Sequence, residues 1–216
     1  MKLYLSSYRI GNAEQELVAL FDGKPRTIAY IPNALDYSTD HERREQSIQK
    51  DTEALEAIGF NVTELDLRKY FGNQSGLEAE IAKYSGVFVR GGNCFVLRRA
   101  YRQSGFDLLL PELLKNESLI YAAYSAGIDM LAPSLQGVEL VDDPSITPQG
   151  YQKELVWECL QVLPYTVAPH YKSDHAESSD IDVSIQYMID HHIPFIALRD
   201  GEVIVVDGSN QRIITL

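Results

Sequence analysis

The chain has 216 residues, 45% hydrophobic and 23% charged, with 31 acidic against 19 basic side chains and a formal net charge of −12. That size and balance predict a single globular domain over residues 1–216, with an apolar core large enough to stand without disulfide or metal support. The acidity argues against nucleic-acid and anionic-membrane partners, which require basic surface; two cysteines, Cys94 and Cys159, are too few for a disulfide framework or a paired zinc site.

Taken in chain order, the elements alternate. Met1 to Ser7 carries only a short apolar run, so it reads as a first strand rather than a signal peptide. Nothing approaches a membrane span, and a reduced, cytoplasmic setting is expected. Further strands fit Thr27–Ile31, Asn61–Leu65, Gly86–Val89 and Leu119–Ala123. Helices fit His41 to Ile58, stopped by Gly59, and then Gly76–Tyr84, Phe95–Arg102 and Leu108–Leu114. This order predicts an α/β fold of three layers, a mostly parallel sheet with helices on both faces. In the second half, Val138–Val141 and Leu160–Val167 read as strands and Ser178–His191 as an amphipathic helix. Pro194–Leu198, Val203–Val206 and Ile213–Leu216 read as an antiparallel C-terminal extension, with Asp200-Gly201 as a hairpin turn between the first two.

The chemistry centres on Tyr121-Ala-Ala-Tyr-Ser-Ala-Gly127. In a nucleophile elbow of the Gly-x-Ser-x-Gly type, a buried strand turns sharply into a helix and holds a serine at the tip in strained geometry. Ser125 fits that place, with Ala123 standing where the first glycine usually sits. A serine after a strand is as readily a helix N-cap, and the pentapeptide alone leaves the two readings even.

Other segments favour the elbow. Val87-Phe-Val-Arg-Gly-Gly-Asn-Cys94 is a strand ending in paired glycines one crossover earlier, where backbone N–H groups can approach a ligand. Gly92 and Ala126 are therefore the expected oxyanion-hole donors. For the base, His170 follows a strand in Val167-Ala-Pro-His-Tyr171 and is the first choice, with His175 in reserve. His41, His191 and His192 lie at helix ends and read as structural. The orienting acid is expected from Asp142 or Asp143, which fall between serine and histidine as in other elbow hydrolases.

Together, Ala29-Tyr-Ile-Pro32, Gly-Gly-Asn-Cys-Phe95, Tyr-Ser-Ala-Gly127, Asp-Asp-Pro144 and Pro-His-Tyr171 resemble the peptidase E family of aspartyl dipeptidases, nearly end to end. The resemblance implies a fold like that of class I glutamine amidotransferases and a serine peptidase acting on small peptides. It maps the nucleophile to Ser125, the base to His170, the oxyanion donors to Gly92 and Ala126, and the acid to Asp142, with Asp143 the alternative. One departure bears on specificity. Where the family has a Gly-Glu-Thr-Arg-like stretch whose arginine meets an acidic substrate side chain, this chain reads His175-Ala-Glu-Ser-Ser-Asp180. A carboxylate there would face Glu177 and Asp180, so aspartyl specificity is not expected to transfer.

Two rival readings follow from the same residues. One is a glutamine-amidotransferase-like amide hydrolase using Cys94; the other is a non-catalytic binding member of the fold. No cofactor and no metal is expected, since Asp36, Asp40 and His41 read as a solvated loop before a helix. The expected partner is a small peptide substrate, with a homodimer left open.

Overall fold

The computed structural model describes residues 1–215. The first half runs β1 (Lys2–Ser6), α1 (Glu14–Leu20), β2 (Thr27–Ile31), α2 (His41–Ala57), β3 (Asn61–Glu64), α3 (Gln74–Ile81), β4 (Gly86–Val89), α4 (Cys94–Ser104), α5 (Phe106–Lys115), β5 (Ile120–Tyr124) and the single-turn α6 (Ala126–Asp129). The second half adds β6 (Thr166–Ala168), α7 (Ser178–Asp190), β7 (Phe195–Ala197), β8 (Val203–Asp207) and β9 (Asn210–Ile214).

Seven strands form one sheet in the order β3-β2-β4-β5-β1-β8-β9. The first five pair in parallel, while β8 joins β1 and β9 joins β8 antiparallel. This is the expected α/β architecture with its antiparallel C-terminal edge. Its inner strands β2, β4, β5, β1 and β8 are buried on both faces because alternate residues enter two cores, while the edge strands β3 and β9 are largely exposed. Leu3, Leu5, Ile31, Val87, Val89 and Tyr121 pack on one side; Tyr4, Tyr30, Phe88, Ile120 and Tyr124 pack on the other.

Strands β4 and β5 are neighbours in register, Val89 opposite Ala123. The paired glycines and Ser125 therefore emerge side by side at the carboxyl edge, the usual ligand edge of an open parallel sheet.

The second half departs from expectation in four places. Val138–Leu140 is a 3-10 turn entered through Gly137 at φ +91°, not a strand. Of Leu160–Val167, only Thr166 and Val167 belong to a strand. The residues before them spend their N–H groups on the chain after α6: Leu160 donates to the Met130 carbonyl at 3.0 Å and Leu163 to that of Leu131 at 2.9 Å. The last strand is Asn210–Ile214, and Leu216 lies outside the described residues.

The fourth difference matters most. Asp200-Gly201 does not join paired strands, because β7 leaves the main sheet and pairs with β6 in a separate parallel sheet, Ala168 opposite Ala197. The hairpin is the next one, from β8 to β9. No helix among the described residues is long and apolar enough to cross a membrane.

Candidate active site

Ser125 sits at φ +48°, ψ −123°, a conformation that costs a non-glycine residue of order 1–3 kcal/mol. An N-cap serine has extended backbone angles and lends its oxygen to the helix. Ser125 does neither, as its side chain makes no capping bond to α6. Close packing allows the turn. A Cβ on Gly127 would stand 2.6 Å from the Val89 carbonyl oxygen and 2.9 Å from the Ala123 methyl. Ala123 is thus accommodated because Gly127 has no side chain. The serine is partly exposed, while its neighbours Tyr124 and Ala126 are buried.

Beside it, Gly92 turns at φ +144° against the Ala34 carbonyl oxygen, which a Cβ would approach to 2.5 Å. Its N–H has no acceptor among the described residues. The Ala126 N–H opens α6 and so has no intrahelical partner. Both donors flank the serine, which lines the same cleft as Gly92.

A buried hub lies beneath these two turns. The Asp51 carboxylate accepts from Tyr30 Oη at 2.7 Å, Tyr124 Oη at 2.8 Å and Arg90 Nε at 3.0 Å. It thereby ties the residue before Ser125 to the residue before the paired glycines.

The small sheet supplies the rest. His170 follows β6 by two residues and Asp200 follows β7 by three, so parallel pairing brings them out on one edge. His170 Nδ1 lies 2.7 Å from Asp200 Oδ1. Ser7 locks the pair: its hydroxyl accepts from the His170 backbone N–H at 2.8 Å and donates to Asp200 Oδ1 at 2.9 Å. His170 itself adopts φ +59°. Burial pushes its pKa below the usual 6.5, against an upward pull from Asp200. The imidazole is therefore neutral near pH 7, with Nδ1–H directed to the carboxylate and Nε2 free to accept a proton.

Ser125 and His170 line one open cleft of about 550 Å³ without a direct hydrogen bond between them among the described residues. Catalytic hydrogen bonds of free enzymes commonly tighten on substrate binding.

The expected acids lie elsewhere. Asp142 Oδ2 accepts from the Cys94 backbone N–H at 2.7 Å, and Asp143 Oδ1 accepts from the Ser145 N–H at 2.8 Å. Neither carboxylate meets the His170 ring. Asp142 instead braces the glycine turn through its carboxylate, and Asp143 does so through its backbone carbonyl, which accepts from Asn93 Nδ2 at 3.2 Å. The acid that does meet His170 comes after it in sequence, and its place just past the Pro194–Leu198 run, as His170 lies just past its own strand, was the signal for it.

Cys94 is buried, its thiol donating to Asp129 Oδ2 at 3.3 Å, and burial beside Asp142 and Asp129 pushes its pKa well up. That is the opposite of an activated thiolate, so the Cys94 reading fails. Glu177 does line the site, whereas Asp180 is exposed on α7 and lines neither the cleft nor the pocket behind it.

His175 stacks on His170, ring centroids 3.7 Å apart and planes 7° from parallel, with Tyr8 edge-on to both. His170, His175 and Glu177 offer ligand atoms within 4.8 Å of one another. The nitrogen lone pairs of stacked parallel rings lie in separate planes, however, so the two imidazoles cannot share one ion as they stand.

A serine on a strained strand-to-helix turn, with free N–H groups beside it and a carboxylate-held histidine across the cleft, defines a serine-type hydrolase. The chain belongs to Peptidase family S51, whose family model matches residues 5–214. It is 27% identical over 219 residues to the Drosophila melanogaster protein named "Probable alpha-aspartyl dipeptidase", covering 96% of this chain and 83% of that one. An uncharacterized peptidase of Listeria innocua is 26% identical over 148 residues, 68% of this chain and 66% of its own. Among solved structures, a protein from Listeria monocytogenes EGD-e assigned to peptidase E superposes with TM-score 0.77 at 20% identity, covering 100% of this chain and 98% of that one. A peptidase from an acI-B1 actinobacterium gives 0.69 at 14% identity, over 99% and 87%. The chain is accordingly a serine peptidase of this family.

Proposed function

We propose that the chain cleaves small peptides through Ser125, His170 and Asp200. Ser125 Oγ attacks the scissile carbonyl while His170 Nε2 takes its proton and returns it to the departing amine. Asp200 holds the imidazole in the required tautomer. The Gly92 and Ala126 N–H groups receive the oxyanion. The observation that carries this reading is the 2.7 Å bond from His170 to Asp200 on a ring that shares the cleft with a strained serine.

The α-aspartyl preference named for the Drosophila relative is not carried over. The pocket of about 20 Å³ behind Ser125 is walled by Asp129, Asp142 and Glu177. Burial raises all three carboxyl pKa values, repulsion from Asp142 adds to it at Asp129 and Glu177, and no arginine or lysine is among the groups acting on them. An acidic side chain entering there would meet carboxyl groups and no cation.

Ser125→Ala should abolish dipeptide hydrolysis and labelling by a fluorophosphonate probe. Labelling of the variant as fast as wild type would remove Ser125 as nucleophile. The absent direct bond from Ser125 to His170 favours a second reading, a binding module that kept the fold. In that case wild type, too, would resist the probe.

A further inference from the structure

Ser125 separates two spaces of opposite character. Behind it lies the small carboxyl-lined pocket; in front lies the open cleft, and His170 lines only the cleft. A base that takes the serine proton must deliver it to the leaving amine, so the leaving residue occupies the cleft side, next to His170 and its neighbour Tyr8.

That side carries more cations than carboxylates, Asp40 and Glu177 being the acidic residues in its lining. Arg43 and Lys50 lie seven residues apart on one face of α2, with Ser47 between them, and all three line the cleft. From the opposite wall Arg9 reaches in, its guanidinium carbon 5.2 Å from the centre of the Tyr8 ring. Two more cleft cations are already neutralised, Arg44 by Asp36 at 3.1 Å and Arg90 by Asp51 at 3.0 Å. Arg9, Arg43 and Lys50 have no carboxylate within 4.0 Å among the described residues. In a molecule of net charge −12, a cleft wall with three unpaired cations beside the base runs against the average sign. Scattered exposed cations would be a solvated surface, but these converge on the cavity that holds Ser125 and His170. A cleft whose lining carries an excess of one sign of charge concentrates ligands of the other.

We infer that Arg9, Arg43 and Lys50 form a leaving-group subsite that selects peptides whose second residue is acidic. The C-terminal carboxylate and the Asp or Glu side chain of that residue then both face cations. This rests on the assignment of Ser125 and His170 above and adds the substrate class. Solvent-exposed pairs of this kind support a preference of about two- to fivefold.

The test uses the full chain with Ala-Glu, Ala-Gln and Ala-Lys, and Glu-Ala as the reversed control. Wild-type kcat/KM is measured for each, and binding of the same four to Ser125→Ala by calorimetry. Expected is Ala-Glu over Ala-Gln by about two- to fivefold, with Ala-Lys lower still, the margin shrinking with added salt. In the Arg43→Glu, Lys50→Glu double variant the order should invert. Equal binding of the first three, no detectable binding, an order unchanged in the double variant, or Glu-Ala ahead of Ala-Glu would each overturn the subsite. If Ser125→Ala binds in the expected order but wild type cleaves nothing, the nucleophile reading fails and the subsite stands. If wild type cleaves Ala-Glu, Ala-Gln and Ala-Lys equally, the reverse holds.

Discussion

Burial governs His170, Asp142 and Asp129 more than their partners do. His170 is 2% exposed, and its neutral form is favoured despite the Asp200 carboxylate at 2.7 Å. A base with a lowered pKa is free at lower pH, so the acid limb of kcat/KM should have its midpoint below 6.5. A midpoint above that value, in a pH profile of dipeptide cleavage, would mean that the carboxylate outweighs burial. Asp200→Asn should cut kcat by about 10⁴-fold, the scale of losing the correct tautomer. Asp142→Asn should cost far less, because an amide oxygen can still accept from the Cys94 N–H. Steady-state kinetics of the two variants side by side separate the orienting acid from the loop brace. Asp129 is the third case: burial lifts its pKa from 3.8 to about 8, and its Oδ1 has no partner among the described residues. A group that holds its proton more tightly when folded stabilises the fold at low pH, and that stabilisation is lost as pH rises toward its folded pKa. Unfolding by urea should therefore show stability falling from about pH 4 to pH 8 in wild type, and a flatter profile in Asp129→Asn.

Among the elements, β4, β5 and the turns that end them depend on Asp51 of α2. Removing one partner from a buried ion pair typically costs about 3–5 kcal/mol, and Asp51→Ala also leaves two buried tyrosine hydroxyls without their acceptor. Denaturant titration should show a loss of that order, together with slower fluorophosphonate labelling, since Tyr124 and Arg90 both lead into the site. Nothing in the sequence marked Asp51, which lies in a polar helix and reads as one more solvated acid. By contrast β1 to β5, α2 and the glycine and serine turns were legible, because buried strands, helix period and small residues at fixed offsets are local signals. The region after α6 was not. Its apolar residues satisfy their backbone against irregular chain rather than a ladder, and Asp200-Gly201 carries the local signature of a hairpin while its aspartate serves a histidine thirty residues earlier. Pairing of β6 with β7 is a long-range event across α7, which no local pattern records.

At the scale of the molecule, the serine and the proposed oxyanion donors follow strands of the seven-stranded sheet, while the histidine and its carboxylate follow strands of the two-stranded one. Ser7, at the end of β1, is the stitch between them, reaching from the large sheet to both His170 and Asp200. The reactive geometry is therefore a seam rather than a pocket in one body. Its alignment registers how the small sheet rides on the large one. Slippage of a fraction of an ångström there would leave both cores intact and part the base from its nucleophile, so the chain can fall silent as a catalyst while still fully folded.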